Sequence, residues 1–255
     1  MRRYRYSFQL FSARSFPPLE TQIETLAELG YDAVEPYAAI YRENLKGLRA
    51  ACDANGLTIP SCHMPIADFD ADLSQVIDAA KFMGCELLIS GALPKELRIQ
   101  PADGWQALGA RLSEYAAALE KEGIKLAWHN HEWEYVAYPD GSRPIDHLLA
   151  CPGIHFEPDM GWIAWANTDI ATELDRYADK IAAFHFRDVA PAGTAEESGW
   201  GDIGRGIIDW KGLWPTIAKV DNDLLVFEHE NPTDWVRFAR DSRNFILDVI
   251  ASQDR

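Results

Sequence analysis

Short apolar runs alternate with longer amphipathic stretches along the whole chain. Eight runs read as buried strands: 6–11 (YSFQLF), 33–37 (AVEPY), 58–64 (TIPSCHM), 86–90 (ELLIS), 125–131 (KLAWHNH), 154–160 (IHFEPDM), 182–189 (AAFHFRDV) and 224–230 (LLVFEHE). Between them apolar positions recur at helical spacing. The stretch 18–30 (PLETQIETLAELG) opens on Pro18 and closes on Gly30, the asymmetry expected of a helix. Stretches 43–56, 72–84 and 104–123 close on Gly56, Gly84 and Gly123, and 209–220 and 233–252 complete the set. Strand followed by helix, repeated, means parallel strands joined by right-handed crossovers. Eight such units in 255 residues match a (β/α)8 TIM barrel, a single α/β domain over residues 1–255. A doubly wound sheet usually carries a glycine-rich phosphate turn after its first strand, and that position reads FSARSFPP.

The strand runs end in polar residues. Glu35, His63, the cluster 129–134, Asp159, His185 and the pair Glu228 and Glu230 all fall at C-terminal strand ends, where a barrel builds its active site. Taken singly, each reads as readily as a solvated or helix-capping group. Together, on successive strands, carboxylates and imidazoles suit a divalent ion: Mn2+, Mg2+, Co2+, Fe2+ or Zn2+. The long, glycine-rich segment 189–206 (VAPAGTAEESGWGDIGRG) reads as a lid or a mobile insertion.

Composition narrows the partners. A formal charge of −16 lacks the basic footprint that neutralises phosphates, so no nucleic-acid partner is expected. No apolar run reaches the ~18–20 residues of a membrane span. The start MRRYRYSFQLFSAR has no apolar core of a signal peptide, so neither a membrane nor an export route is expected. Cys52, Cys62, Cys85 and Cys151 form no CxxC pair and read as reduced, packed thiols of a cytoplasmic protein. Of nine tryptophans, Trp133, Trp162, Trp165 and Trp200 fall near the predicted mouth, where they can stack on sugar C–H groups. Trp105, Trp210, Trp214 and Trp235 fall in helical stretches and read as packing.

The segments WHNHEWEYV, FEPDMGW, HFRDV, GRGIIDW and FEHE resemble, in content and order, the sugar phosphate isomerase/epimerase group of xylose isomerase-like TIM barrels. The pattern there is HNHxxEF, D-x-G-[HW], H-x-[KR]-D, G-x-G-x-x-[DN]-[WF] and a late Glu; GYDAVEPY resembles its second strand. The resemblance covers nearly the whole chain and is strongest over 125–230. It implies one divalent ion, Mn2+ first, held by Glu134, Asp159, His185 and Glu228. Many relatives take the first ligand from an E-N-H segment whose Glu falls at His129 here. Glu132 therefore competes with Glu134, and Glu230 with Glu228.

Such an ion, chelated by a carbonyl and its neighbouring hydroxyl, acidifies the adjacent C–H. Glu134 and Glu228 would then move the proton, with His63 and His129 as further acid–base groups. Glu35, His131, Trp162, Arg187 and Glu230 are the expected substrate contacts. Return of the proton to the same carbon is epimerisation, and return to the former carbonyl carbon through an enediolate is isomerisation. Expulsion of a β-hydroxyl is elimination. The first expectation is a metal-dependent isomerase or epimerase of a small sugar or keto-sugar, with a lyase or hydratase of a 3-keto-sugar as alternative. An apurinic endonuclease would need a basic face, and a non-enzymatic sugar-binding barrel would have a broken ligand quartet. Arg14, Arg187 and Arg205 are the basic residues near the predicted mouth, which favours an uncharged sugar. A homodimer is compatible with the resemblance.

Overall fold

The protein is described by a computed structural model that covers residues 3–194 and 196–253. Eight strands form the barrel wall: β1 (Arg5–Gln9), β2 (Ala33–Glu35), β3 (Ser61–His63), β4 (Leu87–Ser90), β5 (Lys125–His129), β6 (Ile154–Glu157), β7 (Phe184–Phe186) and, after a two-stranded ribbon of β8 (Asp188–Val189) and β9 (Trp200–Gly201), β10 (Leu224–Phe227). All barrel pairs are parallel, in the orders β2-β1-β10-β7 and β3-β4-β5-β6. The bridges Ala33–Thr58, Phe156–Ile181 and Asp159–His185 join the two halves into a closed ring. The expected (β/α)8 barrel is the fold found.

The helices α1 (Leu19–Glu28), α2 (Ala38–Asn55), α3 (Ile66–Met83), α4 (Lys95–Arg98), α5 (Ala102–Glu120), α6 (Pro144–Leu149), α7 (Met160–Trp165), α8 (Ile170–Arg176), α9 (Trp210–Lys219) and α10 (Trp235–Gln253) fill the crossovers. Strand alternation sorts the side chains. Phe8, Val34, Cys62, Leu88, Trp128, Phe156, Phe184, Phe186, Leu225 and Phe227 face outward into the core under the helices. Each buried Phe there contributes about 1.5–3 kcal/mol. Leu87, Ile89, Ala127, Ala183, Leu224 and Val226 face inward and plug the barrel. The next inward positions up each strand are Gln9, Glu35, His63, His129, Glu157, His185 and Glu228, so the dry plug is the floor beneath the polar residues.

The segment read as a lid or a mobile insertion is tied down at several points; its residue 195 lies outside the described residues. The buried Asp188 carboxylate accepts from the backbone N–H of Val189 (2.9 Å), Gly204 (2.9 Å), Gly206 (3.3 Å) and Ile208 (3.2 Å), and from Trp210 Nε1 (2.8 Å). A Cβ on Gly206 would fall 2.1 Å from Asp188 Oδ1, so the wrap needs glycine there. Glu197 accepts from Thr233 N (2.7 Å) and Arg237 Nη2 (2.9 Å), with His229 Nε2 3.2 Å away. Arg237 also reaches Asp202 Oδ2 at 2.9 Å. Glu197, Asp202 and His229 thus lie close enough to hold a cation, but the Arg237 guanidinium already supplies the positive charge.

Two outcomes follow from these anchors. Asp188→Ala leaves the donors around it without a charged acceptor and is expected to cost about 3 kcal/mol or more in urea denaturation. A loss under 1 kcal/mol would show that water replaces the carboxylate. Burial pushes the Glu197 carboxyl up, but the Thr233 and Arg237 hydrogen bonds and the nearby His229 outweigh it and hold it at about 2, below its ordinary 4.5. A depressed carboxyl stabilises the fold above its unfolded value, and that contribution is lost as pH falls from about 4.5 towards 2. Amide protection factors over residues 197–206 are expected to fall through that window, and to be low already at pH 7 in Glu197→Gln. Equal protection in the two proteins at pH 7 would show the anchor to be idle.

Candidate active site

The polar layer encloses a cavity of about 270 Å3 at the C-terminal mouth, lined on one side by Phe11, Tyr37, Met64 and Pro65 and on the other by imidazoles and carboxylates. Beneath it, Glu35 accepts from Gln9 Nε2 (2.8 Å) and the Ser61 hydroxyl, and its Oε1 lies 3.0 Å from His63 Nε2. The same His63 nitrogen is 2.9 Å from Glu157 Oε2, which is 3.0 Å from His129 Nδ1. Asp159 Oδ2 is 3.2 Å from His185 Nδ1 and 2.8 Å from Arg187 Nε. Arg187 continues to Glu228 Oε2 and Glu230 Oε2, both at 2.7 Å. One guanidinium therefore meets three carboxylates.

Titration follows from these neighbours. Burial disfavours the His63 cation, yet the charges of Glu35 and Glu157 outweigh it and raise that imidazole well above its usual value. Burial, with the charges of His185 and His63, lowers His129 well below it. Burial and the Arg187 charge bring His131 down to about 3. Burial and the charge of Glu35 push Glu157 up to about 7. Neighbouring groups thus sit in opposite protonation states, the condition for moving protons near neutrality.

The predicted site residues separate into groups. His63, His129, His131, Arg187, Glu228 and Glu230 line the cavity. Asp159, His185 and Glu35 are fully buried below or beside it. Trp162 stands behind Arg187, whose Cζ lies 5.4 Å from its ring, and Trp200 backs the same guanidinium at 4.8 Å. Trp133 stacks on His131 at 4.1 Å. Neither Trp162 nor Trp133 is on the cavity wall. Trp105, Trp210, Trp214 and Trp235 are buried in the outer core. Arg14 donates to the carbonyls of Phe11 and Glu230, and Arg205 pairs with Asp241 at the surface.

Glu134 departs from the expected quartet. The strand stops at His129, and residues Glu132–Tyr135 turn into a short 3-10 helix. The buried Glu134 caps that turn, accepting from His131 N (2.8 Å) and Trp128 Nε1 (3.1 Å). It is absent from the groups whose donor atoms lie close enough to share an ion, and burial pushes its carboxyl well above the usual range. Glu157, which sequence reasoning passed over, lies among the residues whose donor atoms can share an ion. The signal was present: Glu157 and Asp159 are two apart and share a strand face.

The groups that can share an ion among the described residues of the mouth are His63, His129, Glu157 and His185, and Asp159, His185 and Glu228. Both offer only nitrogen and oxygen, the donors for a borderline or hard divalent ion. Glu157 Oε1 and His185 Nε2 are buried without a hydrogen-bond partner, which a bound cation would satisfy. The residues fit a metal.

Residues 23–249 match the family model of the xylose isomerase-like TIM barrel. SgbU of Escherichia coli (strain K12), named as an L-ribulose-5-phosphate 3-epimerase, is 34% identical over 79 residues, 30% of this chain and 27% of that protein. An inosose dehydratase of Geobacillus kaustophilus (strain HTA426) is 26% identical over 191 residues, 66% of this chain and 61% of that protein. The matches thus span under two thirds of these relatives' lengths. A sugar phosphate isomerase/epimerase of Parabacteroides distasonis ATCC 8503 shares the fold at a TM-score of 0.79 and 15% identity, with 96% and 94% of the two chains covered. The relatives thus carry the names of an epimerase and a dehydratase. The closed parallel barrel, its polar C-terminal mouth and the match over 23–249 place this chain in the xylose isomerase-like TIM barrel family.

Proposed function

We propose that the chain is a divalent-metal-dependent enzyme that removes a proton next to the carbonyl of a keto-sugar, with isomerisation or epimerisation as the outcome. One observation carries this reading: imidazoles and carboxylates converge on a cavity of about 270 Å3 at the barrel mouth, space for a small ligand. β3 and β5 flank β4, and β10 lies across the barrel from it. A ketone in the cavity meets His63 and His129 from the first two strands and Glu228 and Glu230 from β10. Proton removal on one face and return on the other inverts a carbon, and return to the carbonyl carbon isomerises. The imidazoles and carboxylates that converge on His185 would hold the ion, which when bound polarises the carbonyl. Arg187, walled by Trp162 and Trp200, faces the same cavity and favours negative charge developing there.

Elimination is the second reading, favoured by the inosose dehydratase likeness over 66% of the chain. Both readings begin with the same proton. The assay is therefore solvent deuterium entering the carbon next to the carbonyl of keto-sugars and keto-inositols, followed by NMR with added Mn2+, Co2+ or Zn2+. Exchange is expected in the wild type, slower by about 10²–10⁴-fold in Glu228→Gln and in His63→Ala. No exchange with any of these ketones would sink the proposal.

The cavity also argues for an uncharged substrate. Arg187 and His63 are the cations on its wall, and carboxylates already engage both. A phosphate would face Glu228 and Glu230, and like charges set together cost several kcal/mol. The phosphorylated form of an accepted keto-sugar is expected to show kcat/KM lower by about 10²-fold or more. Equal values would place an anion site elsewhere on the mouth.

A further inference from the structure

Three imidazoles crowd one corner of the mouth. The ring centroids of His63 and His129 are 4.9 Å apart, those of His129 and His185 4.6 Å, and those of His63 and His185 5.6 Å. Metal–nitrogen bonds of about 2.0–2.1 Å place a ring centroid roughly 3.2 Å from an ion, so tetrahedral ligands hold their centroids roughly 5.2 Å apart. Glu157 Oε2 touches two of the rings, at 2.9 Å from His63 Nε2 and 3.0 Å from His129 Nδ1. One donor atom from each of the four residues lies within 4.8 Å of the rest.

Two buried atoms in this corner have no hydrogen-bond partner, Glu157 Oε1 and His185 Nε2. His185 Nε2 stands 3.3 Å from Glu228 Oε2 and 3.7 Å from Glu35 Oε1 without bonding to either. The opposite ring nitrogens face one carboxylate: Asp159 Oδ2 is 3.2 Å from His185 Nδ1 and 3.7 Å from His129 Nε2. A carboxylate behind a ligating imidazole fixes its tautomer and its direction. Asp159 is itself held, by Asn130 Oδ1 on its backbone N–H at 2.9 Å and by Trp162 N on its side chain at 2.8 Å.

The competing group, Asp159, His185 and Glu228, already has a cation. Arg187 sits on Asp159 Oδ2 at 2.8 Å and on Glu228 Oε2 at 2.7 Å. An ion bound there would have to expel the guanidinium or lie against it. The imidazole corner holds only the proton of His63, between Glu35 and Glu157, which a bound ion can displace as it cannot displace a guanidinium charge.

We infer that the divalent ion binds among His63, His129, His185 and Glu157, with Asp159 orienting two of the imidazoles and Glu228 left paired to Arg187. The inference rests on the metal-dependent reading above and specifies its ligands. β5 then contributes His129, the residue at its strand end, and not Glu134. Three nitrogens and one carboxylate favour Zn2+, Co2+, Ni2+ or Fe2+ over Mn2+ or Mg2+.

The test is metal analysis of the full chain loaded with Zn2+ and dialysed, with thermal melts to show that each variant is folded. Glu228→Gln is expected to keep about one ion per chain, as the wild type does, while Glu157→Gln and His63→Ala lose it. Asp159→Asn is expected to weaken binding about 10–100-fold. Co2+-loaded wild type is expected to show intense visible bands of a four-coordinate, nitrogen-rich ion. Should a variant fail to fold, that spectrum decides, and weak six-coordinate bands would overturn the inference. Loss of the ion in Glu228→Gln, with retention in Glu157→Gln and His63→Ala, would also overturn it and move the ion to the carboxylate group, leaving the proposed function standing. A wild type that takes up neither Zn2+, Co2+ nor Mn2+ would overturn both.

Discussion

Buried negative charge is the constraint around which the barrel mouth is built. Glu35, Glu157, Asp159 and Glu228 are each 5% exposed or less, at one end of a barrel plugged below them by aliphatic side chains. Carboxylates withdrawn from water cost several kcal/mol each unless cations and donors face them. Arg187 answers two of the four and adds Glu230; His63 lies between the other two. Removing either cation would leave carboxylates facing one another with no counter-charge. The indoles of Trp162 and Trp200 keep Arg187 in place, and Trp165 stacks on Trp200 at 4.9 Å. The aromatic residues expected to meet sugar thus serve first to hold the guanidinium that makes the carboxylates tenable.

Arg187 and Asp188 are neighbours on the chain with opposite duties. Strand alternation sends Arg187 into the mouth and Asp188 outward, where it gathers the returning loop. The loop carries Trp200 back over Arg187, so the charge balance of the site and the fold of the loop are linked through adjacent residues. Glu197 and Asp202, clamped by Arg237, fix the far end of the same loop. A segment whose glycines and length suggest mobility is instead braced at both ends.

How much of this the sequence discloses depends on the range of the interaction involved. Barrel, strand order and inward-facing residues follow from a period of two and from strand–helix alternation, both local properties, so β10 could be read straight from LLVFEHE. The site is legible only as far as the strands run straight. Beyond His129, extending the strand puts Glu132 and Glu134 on one face, but the chain turns and Glu134 satisfies a backbone N–H and an indole. Alternation assigns both Glu157 and Asp159 of FEPD to the interior, whereas the D-x-G pattern marks Asp159 alone. Asp188 was beyond local reading altogether, because four of its five donors come from residues 204–210, and no periodicity encodes that wrap.

The cavity wall has two characters, and that bears on how the keto-sugar proposed above would be selected. Phe11, Tyr37, Met64 and Pro65, carried on the segments after β1, β2 and β3, present apolar surface. His129, His131, Arg187, Glu228 and Glu230 present polar atoms from the opposite half of the ring. A polyol ring carries C–H groups on its faces and hydroxyls at its edge, so such a substrate is oriented by the two walls before any loop moves. Binding between walls that are already formed loses little free energy to ordering the protein. The same rigidity limits what the site accepts. A substrate longer than a single ring must leave through the open side of the mouth, past Phe11 and Tyr37, because the side beneath Trp200 is filled by Arg187 and its indoles.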